Sequence, residues 1–122
     1  MNVQRRLRVT MAAAGVLIVA AAGPLVAHHG WTGYDDKTPL TLTGTVKASG
    51  YENPHGYVDL DASGKTWRVV LAPPSRMESR GLSKDMLKSG TQATVMGYPH
   101  KTETNELRAE RITIGGKTIE LR

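Results

Sequence analysis

Leu40, Leu42, Gly44, Val46 and Ala48 alternate with Thr41, Thr43, Thr45 and Lys47, so this stretch has one apolar and one polar side at a period of two. Successive side chains of an extended chain point to opposite faces, and such alternation predicts a half-buried strand. Val58 and Leu60 alternate in the same way with Tyr57, Asp59 and Asp61. Ser63-Gly64 then turns the chain into Trp67, Val69 and Leu71, which makes the pair a hairpin. Farther on, Ala93, Val95 and Gly97 alternate with Thr94, Met96 and Tyr98, and a last long strand starts at Leu107 and Ala109. There the apolar parity jumps to Ile112 and Ile114, a slip that one extra residue near Glu110-Arg111 explains as a bulge. Gly115-Gly116 turns the chain once more, into residues 118–121.

Between the third and fourth strands the alternation stops. Pro73-Pro74 ends the strand, Ser75 and Glu78 have capping-box spacing, Gly81 can stop a short helical turn, and Ser83 can cap a second one carrying Met86 and Leu87. Three strands, a short helical connection and two or more strands describe an all-β domain, a five- to six-stranded barrel like the OB-fold, whose helix lies between strands three and four. A small sandwich or another open barrel is the competing architecture. The barrel is expected over residues 40–122, after a lead-in segment over 28–39.

The first 27 residues follow a different pattern. Arg5, Arg6 and Arg8 precede an unbroken small and apolar run from Met11 to Gly23, closed by Pro24-Leu25-Val26-Ala27. This is the order of a secretory signal peptide, with cleavage after Ala27. The run falls short of the roughly 18 to 20 residues of a membrane span, so no permanent span is expected after cleavage, and the product is periplasmic or secreted. The cut also changes the charge. The whole chain carries 16 basic and 11 acidic residues, net +5, but three of the basic ones lie in the leader, leaving 13 against 11. With no basic stripe and few aromatics for stacking, nucleic acid is not an expected partner. There is no cysteine, so any metal must be held by His, Met, carboxylate or backbone.

Cleavage after Ala27 would make His28 the first residue, with His29 beside it. In barrels of this type the binding face is bordered by the loops joining strands one and two and strands four and five. The first loop holds Tyr51-Glu52-Asn53-Pro54-His55 and the second Tyr98-Pro99-His100-Lys101, so all four histidines lie at the new N-terminus or in the two loops expected to flank one face. An N-terminal histidine offers an amine and a ring nitrogen to one ion, and a further imidazole completes a nitrogen set suited to Cu(II). His28, His29, His55 and His100 are therefore the candidate metal ligands, for copper first and zinc behind it. His29 is the weakest of them, because neighbours on an extended segment point apart. Met77 and Met86 could assist Cu(I), whereas Met96 is expected to pack. The competing account treats the histidines as polar terminal and loop residues, with His55 entering a strand after a turn-forming Asn-Pro step. Trp31, Tyr51, Tyr57 and Tyr98 are the candidate face for a ligand or an envelope protein partner.

Ala27-His28-His29, the segment from Asp35 to Pro39, Leu42-Thr43-Gly44-Thr45-Val46, Asn53-Pro54-His55, Trp67 and the stretch from Leu87 to Gly97 together resemble a family of small exported bacterial proteins known as a domain of unknown function. The resemblance spans nearly all of the chain beyond the leader. It implies export and a compact β-domain, and it carries no established activity. Gly30-Trp31 departs from the family pattern, which continues the double histidine with Ser and an aromatic. A histidine start also resembles the histidine brace of copper oxygenases and of some exported copper-binding proteins.

Enzyme motifs are missing: no Gly-x-Ser-x-Gly elbow, phosphate loop, His-Glu-x-x-His helix or cysteine nucleophile is present. Glu52 near His55 is a candidate acid–base pair, but a single pair in a turn is weak evidence without a pocket. The chain therefore reads as a binding module, either for copper or as a metal-free adaptor for a peptide, glycan or partner protein, with a copper-dependent oxidase a distant third.

Overall fold

The computed structural model describes residues 31–122, so the leader over 1–27 and the pair His28 and His29 lie outside the described residues. Six strands form in chain order: β1 (Leu40–Gly50), β2 (Tyr57–Ala62), β3 (Lys65–Val70), β4 (Gln92–Pro99), β5 (Glu106–Ile114) and β6 (Lys117–Glu120). Helix α1 (Pro74–Ser79) and a 3-10 turn (Lys84–Leu87) fill the connection from β3 to β4. β1 pairs antiparallel with both β2 and β4, and β4 pairs with β5. A parallel seam joins Arg68, Val69 and Val70 of β3 to Glu106, Leu107 and Arg108 of β5. That seam closes five strands into a barrel, with β6 added to the far half of β5. This is the OB-like architecture the strand order predicted.

Inside the barrel the period-two pattern becomes a core. Val46, Val58, Leu60, Val69, Val95, Leu107, Ala109 and Ile112 are fully buried, joined by Met77, Leu82 and Leu87 from the connection and by Ile119 and Leu121 from the C-terminal stretch. Trp67 belongs to this core, as its shared face with Val69 and Leu71 implied. The hairpin of β2 and β3 turns at Ser63 and Gly64, both at positive φ, which matches the right-handed twist of the strands it joins. The predicted bulge in β5 is present. Met96 pairs with Arg111 and Gly97 with Ala109, so Glu110 is the extra residue.

Three details differ from the sequence reading. A second irregularity skips Lys47 in β1, between the pairs Val46–Leu60 and Ala48–Asp59. It turns Ala48 out to solvent instead of leaving it on the face of Leu42 and Val46. Ser75 does not cap α1: Pro73 stands at the cap position and Pro74 in the first turn, where its fixed φ suits helix initiation and its missing N–H costs nothing. Met77, a candidate soft ligand for Cu(I), is fully buried, with its side chain against Gly56.

At Gly97 and Gly44 the backbone of the neighbouring strand leaves no room for a side chain. A Cβ built on Gly97 would stand 2.0 Å from the Arg108 carbonyl oxygen, and one on Gly44 1.9 Å from that of Asp61. Among the described residues no helix is long and apolar enough to cross a membrane.

Candidate functional site

Three segments meet at one mouth of the barrel. The lead-in from Trp31 onward lies along the end of β4: Asp35 N–H donates to the Pro99 carbonyl at 2.8 Å, Lys101 N–H donates to the Gly33 carbonyl at 2.9 Å, and Tyr34 forms an isolated bridge with His100. Asp35 is occupied in shaping this segment. Its carboxylate accepts from Lys37 N–H and from the Thr38 hydroxyl, and these bonds hold its pKa below the usual value, the Lys37 amide foremost. The β1–β2 loop is fixed to the β3–α1 junction through Gly56, whose N–H donates to Ala72 and whose carbonyl accepts from Leu71. His55, one residue earlier, is thereby held at the same mouth.

β5 supplies the residues between them. Leu107 and Ala109 face the core, so Glu106 and Arg108 project to the outside of the barrel wall. Arg108 is nevertheless only 6% exposed. Trp31 covers it, with the guanidinium carbon 4.7 Å from the indole centroid, and the same ring lies 4.6 Å from the Arg122 guanidinium. Burial is the main influence lowering the Arg108 pKa, and the nearby Arg76 charge pushes in the same direction. The side chain stays charged, as arginine does at any ordinary pH.

Two cavities open around Arg108. One, of about 400 Å³, is bordered by Gly33, Tyr34, His55, His100, Glu106 and Arg108 among others. The second, of about 360 Å³, is walled by Trp31, Pro54, His55, Pro73, Arg76 and Arg108. His55 and Arg108 are common to both. Arg108 Nη2 lies 3.2 Å from His55 Nε2. A guanidinium can only donate, so Nε2 accepts and the His55 ring is neutral with its proton on Nδ1.

His100 is oriented from the other side. Its Nδ1 accepts the Glu103 amide at 3.0 Å and lies 3.2 Å from the Thr102 amide and hydroxyl, which leaves the proton on Nε2, 3.8 Å from Glu106 Oε2. The same carboxylate oxygen accepts the Tyr34 hydroxyl at 2.7 Å. Tyr34, Glu106 and His100 thus form one network, tying the lead-in to the β4–β5 loop. Burial first, and then the Glu106 hydrogen bond, push the Tyr34 pKa well above the usual value.

Tyr51 and Tyr98 are shifted the same way, Tyr51 mainly by burial and Tyr98 mainly by its hydrogen bond to Glu110. Phenols whose pKa is raised by folding stabilise the native state fully below the unfolded-state value and lose that contribution as pH climbs toward the native one. Stability measured by urea unfolding is accordingly expected to fall as pH rises above about 10. Tyr34→Phe should flatten part of that fall. An unchanged alkaline slope in this variant would show that Tyr34 is not among the groups responsible.

The histidines and aromatics named from sequence divide as follows. His55 and His100 border one cavity. His28 and His29 lie outside the described residues. Trp31 meets Tyr98 edge-on at 5.8 Å, and Tyr98 donates to Glu110. Tyr57 lies elsewhere on the outer wall under Arg68, 3.9 Å from its guanidinium, and Tyr51 is anchored to the connection by a 2.7 Å bond to the Leu82 carbonyl. The four aromatics therefore do not share one surface: Trp31 and Tyr98 do. Among the described residues, no group of three or more His, Asp or Glu side chains is gathered closely enough to hold a metal ion.

Arg76, Glu106, Arg108 and Tyr34 were not singled out by the sequence reading. A trace of them was available, since Glu106 and Arg108 are charges at strand spacing around an apolar residue, directly after the loop that borders the expected face. A further depression of about 400 Å³ at the β2–β3 hairpin, walled by Lys47, Asp61 and Lys65, holds neither histidine nor aromatic.

A search of curated proteins returns no match. Among solved structures, the crystal structure of a TiaS–tRNA–ATP complex resembles the chain with a TM-score of 0.50 and 18% identity, over 66% of this chain and 19% of that one. The likeness concerns the fold alone, and this chain matches only about a fifth of that neighbour's length. In sequence, the model of a family of unknown function, DUF6152, matches residues 14–108, and the chain belongs to that family.

Proposed function

We propose that the protein is an exported binding module of the cell envelope, which holds its ligand at the barrel mouth between the lead-in, the β1–β2 loop and the β4–β5 loop. The observation that carries this reading is the pair of cavities meeting at His55 and the buried Arg108. Pre-formed concave sites with a few converging polar groups are the usual form of a ligand site, and loops held by a rigid barrel are the usual place. The leader of three arginines followed by an apolar run and a small-residue end supports export. The groups at the mouth are arranged to grip. The side chains described there are hydrogen-bond donors, acceptors and fixed charges.

A photo-crosslinking amino acid at Thr32, on the cleft rim, is expected to trap a discrete adduct in exporting cells, while the same group at Ser63, which lines neither lobe of the cleft, traps none. Equal adducts from the two positions, or none from either, would remove the partner-binding form of this reading.

A second reading, copper capture by His55 and His100 with His28 and His29, is favoured by one observation: the two loop histidines border a single cavity. Trp31 borders the adjoining one, and the three residue steps from His28 to it can span at most about 10 Å. Copper would have to displace a proton from His55 Nδ1 or His100 Nε2, or else break the bond from Arg108 or those at His100 Nδ1. On this reading, Cu(II) titration gives stoichiometric binding when the chain starts at a native His28, and loses it when a methionine precedes that residue. Weak and equal binding by the two forms would eliminate the copper brace.

A further inference from the structure

We propose that the lobe of the cleft bounded by Trp31, Pro54, His55, Pro73, Arg76 and Arg108 is a carboxylate-binding site, for an acid carried on a planar or apolar body. The inference rests on the reading of the barrel mouth as a ligand site and names its ligand chemistry.

Charge comes first. Two guanidinium groups and an imidazole border this lobe, and among the described residues no acidic one lines it. The two cations disfavour one another, as the influence of Arg76 on Arg108 shows. A monoanion between them relieves that repulsion, and it does so where burial of Arg108 weakens screening by water. The planar fork of arginine matches a carboxylate with two parallel N–H donors, a geometry that an ammonium does not offer.

Both guanidinium groups are held in place. Arg108 donates to His55 Nε2 at 3.2 Å and lies against the Trp31 ring, and Arg76 Nη1 donates to the Leu121 carbonyl at 3.2 Å. Fixed donors surrender less side-chain entropy on binding than free surface arginines do. His55, whose Nε2 accepts from Arg108, adds no third full charge. Trp31, Pro54 and Pro73 supply the remaining walls, and they are apolar. They suit the flat or hydrophobic body of the acid, whereas a fully hydrated inorganic anion has no use for them.

Two sources offer such a group: a small organic acid and the C-terminus of an exported peptide. Benzoate and N-acetylphenylalanine represent them, N-acetylphenylalaninamide removes the charge, and inorganic phosphate removes the body. The experiment titrates the exported full chain with each probe. It follows the Trp31 indole N–H and the arginine side-chain N–H signals by nitrogen–proton correlation spectra. Saturable shifts at Trp31, Arg76 and Arg108 are expected with benzoate or N-acetylphenylalanine, and the tighter of the two identifies the source. The amide should bind at least about tenfold more weakly, the factor expected for losing a charge-assisted hydrogen bond in a partly buried site. Arg76→Gln, at an exposed helix position that leaves the core intact, should weaken the acids by a similar factor, with Lys88→Gln as the unaffected control.

Amide and acid binding alike would overturn the carboxylate assignment while sustaining the ligand site at the mouth. Phosphate binding as tightly as the acids would overturn it too, in favour of a general oxyanion site. No saturable shift at these residues with any acid would refute it outright, whatever the crosslinking result at Thr32.

Discussion

Gly97→Ala is expected to destabilise the barrel by about 3 kcal/mol or more, the upper range for overpacking, since the added carbon meets backbone on the neighbouring strand rather than a side chain that can move aside. The contact is with the Arg108 carbonyl at 2.0 Å, with the Arg108 carbonyl carbon at 2.7 Å and the Ala109 Cα at 2.8 Å behind it. β4 and β5 approach this closely beside the bulge at Glu110, where the sheet bends to close. The substitution also pushes on the stretch of β5 that carries Arg108. Urea unfolding should show the lowered midpoint, and the arginine signals of the cleft should move even where the variant stays folded. Gly116→Ala serves as the comparison: Gly116 has a φ of 78° but open space around it, so only the left-handed conformation is penalised, by about 1 kcal/mol. If the two variants lose the same stability, close strand approach is not what requires glycine at position 97.

Leu60→Ala should cost about 2–5 kcal/mol, the range for emptying a fully buried aliphatic site. Leu60 is completely enclosed at the centre of β2, opposite Val46 on one side and Trp67 on the other. A rigid barrel wall gives its neighbours little freedom to collapse into the space, which favours the upper part of that range. Thr43→Val, one strand away on the outer face, removes only a 2.9 Å hydroxyl contact with Thr94 and should stay within about 0.5 kcal/mol of the parent. Equal losses at the two positions in urea unfolding would contradict the assignment of Leu60 to the core.

Strand positions were legible in the sequence because one face of each strand is buried, and burial writes itself as alternation. The bulge at Glu110 was legible for the same reason: an extra residue reverses the parity of everything after it, from Ala109 to Ile112. The skip at Lys47 was not. Beyond it β1 has only Ala48, Ser49 and Gly50, too small and too mixed to display a reversed face. Ser75 misled because capping-box spacing describes a hydrogen bond, and two prolines one step earlier set the helix start by torsion alone. At the site, the two loop histidines were drawn to one cavity by strand order. Arg108 stayed hidden: its burial comes from Trp31, a residue of the lead-in far away in sequence, and no periodicity within β5 reports a cover supplied from elsewhere. The aromatics were grouped by type, but Tyr51 and Tyr57 are engaged by local partners, Leu82 and Arg68.

The parallel seam between β3 and β5 joins residues well apart along the chain, Val70 with Arg108. Val70 and Arg108 both border the cleft. The cleft therefore requires the closed barrel, and opening of this seam would take it apart. A ligand held at Arg108 acts as a clasp across that join. Bound protein should exchange the amide hydrogens of residues 68–70 and 106–108 more slowly, with little change in β1 and β2, because occupancy protects the seam that builds the site.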